Sequence, residues 1–217
     1  MVYFIAQTIE GDRMRDLDRA LTDISVIREQ LAQSTEFQGY APTTLAATGV
    51  FALLVAAAQG LWLPDSATNM RLYIALWVGT AAVCVVITAI ETIRRSRRAH
   101  GGFATAMLQS ALEQFVPAIV AGGLLTIALL EVAPQDLWMI PGLWHILFSL
   151  GVFASRRFLP RPVFWVGVWF LACGLACLAL AAPTHANSPW AMGIPYGVGH
   201  LLVAGILKYR HQVELSR

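Results

Sequence analysis

The chain has 217 residues, of which 57% are hydrophobic and only 13% charged, and its mean hydropathy is +0.62. Soluble domains carry about 45–50% apolar and about 25% charged residues, and a chain this short needs polar groups to cover its surface. The composition excludes an ordinary soluble domain and makes lipid the expected solvent. The net charge of +2 is uninformative as a total, because Lys and Arg are unevenly spread; nothing in it points to nucleic acid. Cys84, Cys173 and Cys177 all fall in apolar stretches, which is neither a disulfide framework nor a zinc motif. The opening run Val2 to Ile9 is short and is followed by acidic residues rather than a cleavage site, so no cleavable signal peptide is expected.

Residues from about Gly11 to Phe37 read as one amphipathic helix within an N-terminal segment 1–41. Met14, Leu17, Leu21, Ile24, Ile27 and Leu31 recur at three- and four-residue steps and share a face. Between Glu10 and Glu36 there are seven acidic and four basic residues, a net charge of −3. A helix lying on an anionic leaflet is usually basic on its polar face, so this stripe is expected to meet protein. The bundle's own face, a second copy, or another membrane or cytoplasmic polypeptide would each serve, through Met14, Leu17, Leu21, Ile24 and Leu31.

Gly39 supplies a helix stop and Pro42 suits the first turn of the next helix. Six apolar segments follow within 42–208, placed at 43–63, 70–93, 114–131, 137–155, 163–182 and 189–207. Each is near the roughly 20 residues that cross a hydrocarbon core of about 30 Å. Pro117 is expected in the first turn of the third. The fold class is therefore all-α: a polytopic membrane protein with six transmembrane helices as three hairpins, preceded by a cytoplasmic amphipathic helix and closed by a tail at 209–217.

Orientation follows from the flanking cations. Arg13, Arg15, Arg19, Arg28, Arg94, Arg95, Arg97, Arg98, Arg156, Arg157, Arg161, Lys208, Arg210 and Arg217 fall on one side, and Arg71 alone on the other. The cation-rich side is the cytoplasm, so both termini are expected there. The other side has only short connections, with Trp62, Trp77, Trp138, Trp144 and Trp190 toward it as an aromatic belt. Ile140-Pro-Gly-Leu-Trp-His145 and Ile194-Pro-Tyr-Gly-Val-Gly-His200 share an Ile-Pro opening and a following His, which suggests an internal duplication.

His145 and His200 are the ionisable groups, cysteines aside, placed well inside the hydrocarbon, and such residues are functional candidates by default. Two histidines on separate helices are a candidate cofactor site: they suit a haem iron held from both faces, or another metal. They lie eleven and eight residues from Arg156 and Lys208, a depth difference of about 4 Å at 1.5 Å per residue that does not favour a clean bis-His site. The bland reading is that each imidazole bonds a backbone or hydroxyl group on a neighbouring helix. Cys173 and Cys177, with Met192, are read as packing residues before a soft-metal site. Glu91, Glu113 and Glu131 sit at helix ends, and Glu91 is spaced to pair with Arg94 or Arg95. Gly193 with Gly197, and Gly142 with Ser149 and Gly151, are small strips that let helices approach closely.

The stretch Leu21-Thr-Asp-Ile-Ser-Val-Ile-Arg28-Glu-Gln-Leu-Ala-Gln-Ser34-Thr35-Glu-Phe37, followed at once by an apolar helix, resembles a group of uncharacterised bacterial membrane proteins. Those carry an Ile-Arg-x-x-Leu/Met-x-x-Ser/Ala-x-x-Phe helix ahead of about six spans. Gly142-Leu-Trp-His145 and Gly199-His200-Leu-Leu to Arg210-His211 are similar to the same group. The resemblance implies a bacterial inner-membrane location. It lends no catalytic residues, since the group has no assigned activity; its members often accompany small transcriptional regulators, which implies a regulatory role.

No nucleophile with a base and no metalloprotease or phosphate-binding motif is present. The expected function is that of a non-enzymatic membrane protein with a regulatory or accessory-subunit role through protein–protein contacts. The alternatives are haem- or metal-based electron transfer at His145 and His200, and small-solute transport.

Overall fold

The computed structural model describes residues 42–63, 69–98, 102–159, 161–182, 184 and 187–215. The amphipathic stripe from Met14 to Leu31 lies outside them. Among the described residues every regular element is helical: α1 (Pro42–Trp62), α2 (Met70–Arg98), α3 (Gly102–Val132), α4 (Ile140–Ala154), α5 (Val163–Ala181) and α6 (Trp190–Leu215). Short 3₁₀ segments, Pro134–Met139 and Ser155–Phe158, flank α4.

Six stretches are long and apolar enough to cross a membrane: Pro42–Trp62, Met70–Glu91, Glu113–Val132, Pro134–Ala154, Val163–Ala181 and Trp190–Tyr209. They match the six apolar segments of the sequence closely, because backbone groups in lipid must be satisfied within the segment and a helix does this. Three boundaries differ most. The helices run past the hydrocarbon, α2 to Arg98 and α6 to Leu215, since a helix already nucleated in lipid propagates into polar sequence at little cost. For the same reason α3 begins at Gly102, which puts Pro117 inside the helix rather than in its first turn. Pro141 does stand at the start of α4, where its missing N–H has no helical partner to lose.

The most extensive packing joins α1 to α6 and α4 to α5, with α3 against α4 and α5 against α6 next. Both principal pairs close on glycine. A Cβ on Gly49 of α1 would lie 2.9 Å from the Gly197 carbonyl oxygen, and one on Gly193 would lie on the Ala56 Cβ. In the other pair, a Cβ on Gly142 would lie 2.9 Å from the Gly174 oxygen, and one on Gly174 2.8 Å from the Gly142 oxygen. Such approach gives dispersion contact over the whole helix face, which is what holds helices together where no water is available to be expelled. The small strip of α4 serves two partners. Gly142 faces α5, whereas Gly151 faces Phe115 and Ala118 of α3.

One end of the bundle is also fastened by polar contacts. Trp77 donates its indole N–H to Gln59 at 3.0 Å, and Tyr73 donates its hydroxyl to the Ser188 carbonyl at 3.1 Å. Asn187 donates to the Trp138 carbonyl at 2.7 Å and accepts from the Cys177 thiol at 3.3 Å. These contacts tie α1, α2, α5 and the segments before α4 and α6 around a core of Ala52, Ala56, Tyr73, Trp77 and Met192. Ile74, Leu137 and Ile140 form a second cluster beside it, on which Leu129 and Leu130 of α3 rest.

Candidate functional site

Both histidines singled out in the sequence reach the middle of the bundle, and aromatic side chains connect them. His145 points from α4 into the interior, has no exposed surface, and stacks on Phe170 of α5 with ring centroids 6.0 Å apart and planes 26° apart. Its other neighbour is Tyr196 of α6, at 5.2 Å. Tyr196 in turn lies 6.1 Å from His200, one helical turn further along the same face. The two imidazoles therefore meet through Tyr196 rather than directly. Phe148 and Phe115 extend the cluster, with Phe148 4.4 Å from Phe170 and 4.9 Å from Phe115.

Glycine makes this crowding possible. A Cβ on Gly174 would stand 3.1 Å from the His145 Cβ, and one on Gly199 would run into the Phe170 ring. Pro195 helps in another way. Its carbonyl accepts the Trp169 indole N–H at 3.1 Å, which fixes α6 against α5 just before Tyr196.

The polar edges of the cluster differ sharply in their partners. Thr48 of α1 donates its hydroxyl to the Leu45 carbonyl at 2.9 Å, and its oxygen lies 3.1 Å from His200 Nδ1. The threonine has one proton to give, so the direction of the Thr48–His200 contact follows the tautomer of the imidazole. This fits the plain sequence reading of a histidine bonded to a hydroxyl on the next helix. His145 does not follow it: both its ring nitrogens are buried with no hydrogen-bond partner. The Pro141 carbonyl one turn back lies near the ring but outside bonding geometry. A buried polar atom left unpaired costs about 1–3 kcal/mol, so burying His145 without a bonded partner is destabilising.

A planar macrocycle held from both faces by His145 and His200 would have to take the place of Tyr196, which touches both rings. Cys177 turns its sulfur to Asn187, whereas Met192 packs among Ala52, Ala56, Tyr73 and Trp77. Among the described residues no group of three His, Cys, Asp or Glu side chains is placed to hold a metal ion. The three cysteines are free.

Sequence reasoning missed Tyr196, Phe170 and Thr48 as members of the cluster. Tyr196 had a legible signal, four residues before His200 and so on the same helix face. Phe170 and Thr48 come from other helices, and no local pattern distinguishes them from their neighbours. No protein-family model, curated protein or solved structure matches this chain.

Proposed function

We propose that the chain is a non-enzymatic protein of a bacterial inner membrane that acts as a regulatory or accessory subunit through protein–protein contacts. The observation that carries this reading is the uneven cover of the bundle. From Ala81 to Arg94 no described residue of α2 is buried, and between Glu113 and Val132 of α3 only Gly122 and Thr126 are. Val83, Val86, Ile90, Ile119, Leu124 and Ile127 all face outward, and such faces suit the transmembrane helices of another chain as well as they suit lipid.

In this reading both termini lie in the cytoplasm, the six spans form three hairpins, and the acidic N-terminal segment supplies the recognition stripe Met14, Leu17, Leu21, Ile24 and Leu31. The cation distribution supports the orientation, and the net charge of −3 supports a protein rather than a lipid surface as the stripe's counterpart. The partner is a membrane or cytoplasmic protein or a second copy of the chain.

Replacing Leu21 and Ile24 by Asp, and recovering the protein from its own membrane in mild detergent, tests the proposal. The wild-type chain should bring down a stoichiometric polypeptide or a second copy. The variant should insert normally and lose it. A wild-type chain recovered alone, or a variant that keeps its partner, would show the reading to be wrong.

A further inference from the structure

The connection between α4 and α5 gathers positive charge without a counterion. Arg156, Arg157 and Arg161 fall within it, and the sequence has no Asp or Glu between Asp136 and Glu214. The stretches on either side, Pro134–Ala154 and Val163–Ala181, are both long and apolar enough to span. The connection therefore falls at the membrane–water boundary, among the lipid headgroups. Arg156 and Arg161 are exposed, and neither has an ion pair among the described residues. Glu113 of α3, the helix packed against Ser155–Phe158, is also exposed and pairs with neither of them.

The two arginines meet at Phe164, the second residue of α5. The Arg156 guanidinium carbon lies 5.1 Å from the centre of the Phe164 ring, and the Arg161 carbonyl accepts the Phe164 N–H at 3.2 Å. Phe153 of α4 braces that ring from 5.4 Å, and Trp165 meets it edge-on at 5.7 Å. A cation seated on a ring face is held in place without a counterion, and no described residue engages its N–H donors. The backbone N–H groups of Phe164 and Trp165 already bond the Arg161 and Pro162 carbonyls, so recognition of an anion falls to the guanidinium groups. Beside them Trp165 is 69% exposed, an amphipathic ring at the depth of the headgroup region.

We propose that the α4–α5 connection binds an anionic glycerophospholipid, with its phosphodiester between Arg156 and Arg161 and an acyl chain over Trp165. Arginine takes a phosphate through two parallel N–H···O bonds, and basic patches between spans at the membrane surface hold anionic headgroups. A free phosphate gains nothing from the aromatic surface, whereas a lipid chain covers it. The proposal does not depend on the chain having a protein partner.

The test is native mass spectrometry of the full-length protein in mild detergent, titrated with phosphatidylglycerol. One lipid should bind about tenfold more tightly than phosphatidylcholine of the same chain length. This comparison uses the unaltered protein, so it stands even if variants fold poorly. Arg156→Gln and Arg161→Gln should each weaken binding about fivefold, the effect of one cation near the surface. Arg94→Gln removes the same charge from the later part of α2 and should leave binding unchanged. Phe164→Leu should weaken binding by freeing the guanidinium that the ring holds. Glycerol 3-phosphate should not compete; displacement by it would mark a site for free phosphate. Equal binding of the two lipids would leave the arginines to a carboxylate-bearing peptide. Either of those results, or an equal loss in Arg94→Gln, would overturn the proposal.

Discussion

Helix α6 and helix α2 are both apolar, both long and both packed on α1, yet they sit in the bundle in opposite ways. Helix α6 meets α1 backbone to backbone, through Gly193, Gly197 and Gly49, and contributes buried residues from Met192 to Leu207. Helix α2 is held by side chains at one end, Tyr73 and Trp77, and none of its described residues from Ala81 onward is buried. Apolarity decides that both enter the membrane; the distribution of glycine and of hydrogen-bonding side chains decides which one becomes the core. Two helix pairs, α1 with α6 and α4 with α5, form a closed centre. Around it α2 and α3 remain open to whatever the membrane supplies.

The widest separation between the two classes comes from glycine. Gly174→Val places a branched side chain where the Gly142 carbonyl already stands, and overpacking of this kind costs about 3 kcal/mol. Thermal unfolding in detergent should show a large loss, with much of the variant misassembled. Next comes the fastening of α2. Gln59→Leu leaves the buried Trp77 N–H unpaired, at a cost of about 1–3 kcal/mol. Spin labels at Leu54 and Val78 should then report a broader distance distribution than in the parent.

His145→Leu inverts the sign. Because neither imidazole nitrogen is bonded, removing them relieves a desolvation penalty, and the variant should unfold at a higher temperature, by about 1–3 kcal/mol of stability. A fall in stability would mean that the imidazole has a partner and that the centre is wired differently. Thr48→Val removes the contact to His200 and should cost only about 0.6 kcal/mol, the average for an interhelical bond in lipid. At Gly123 a Cβ would have no neighbouring atom within 4 Å, so Gly123→Leu should be stability-neutral within about 0.5 kcal/mol. That makes it the counterpart of Gly174 on the open side.

How much of this was legible in the sequence depends on the range of the signal. The six spans were, because twenty consecutive apolar residues are a local feature with one physical solution in lipid. That His145 and His200 fall inside two of those spans was legible too. The small strips on α4 and α6 announced close approach, but their partners did not follow. Nothing in Gly142 and Gly151, nine residues apart on one helix, says that the first meets α5 and the second α3. The departure of α2 was equally hidden. Its second half, Val83 to Ile90, is as apolar as any core helix, and lipid exposure leaves no polar face to mark it. Phe170 and Thr48 likewise looked like ordinary members of apolar runs until the fold brought them to the histidines, whereas Tyr196 was marked by its spacing from His200.

Helix α2 is buried in the bundle in its first half and no more than half-buried in its second. Spin labels placed one at a time from Leu72 to Ile93, with the three native cysteines replaced by alanine and the protein in vesicles, test it directly through collision with oxygen. Accessibility should be low at Tyr73, Ile74, Trp77 and Thr80, with a helical period of about 3.6 residues. Beyond Ala81 it should be high, with only shallow minima at the half-buried Cys84, Thr88 and Glu91. Minima there as deep as those at Tyr73 and Trp77 would mean that α2 is buried against its neighbours along its whole length, and would contradict the divided bundle.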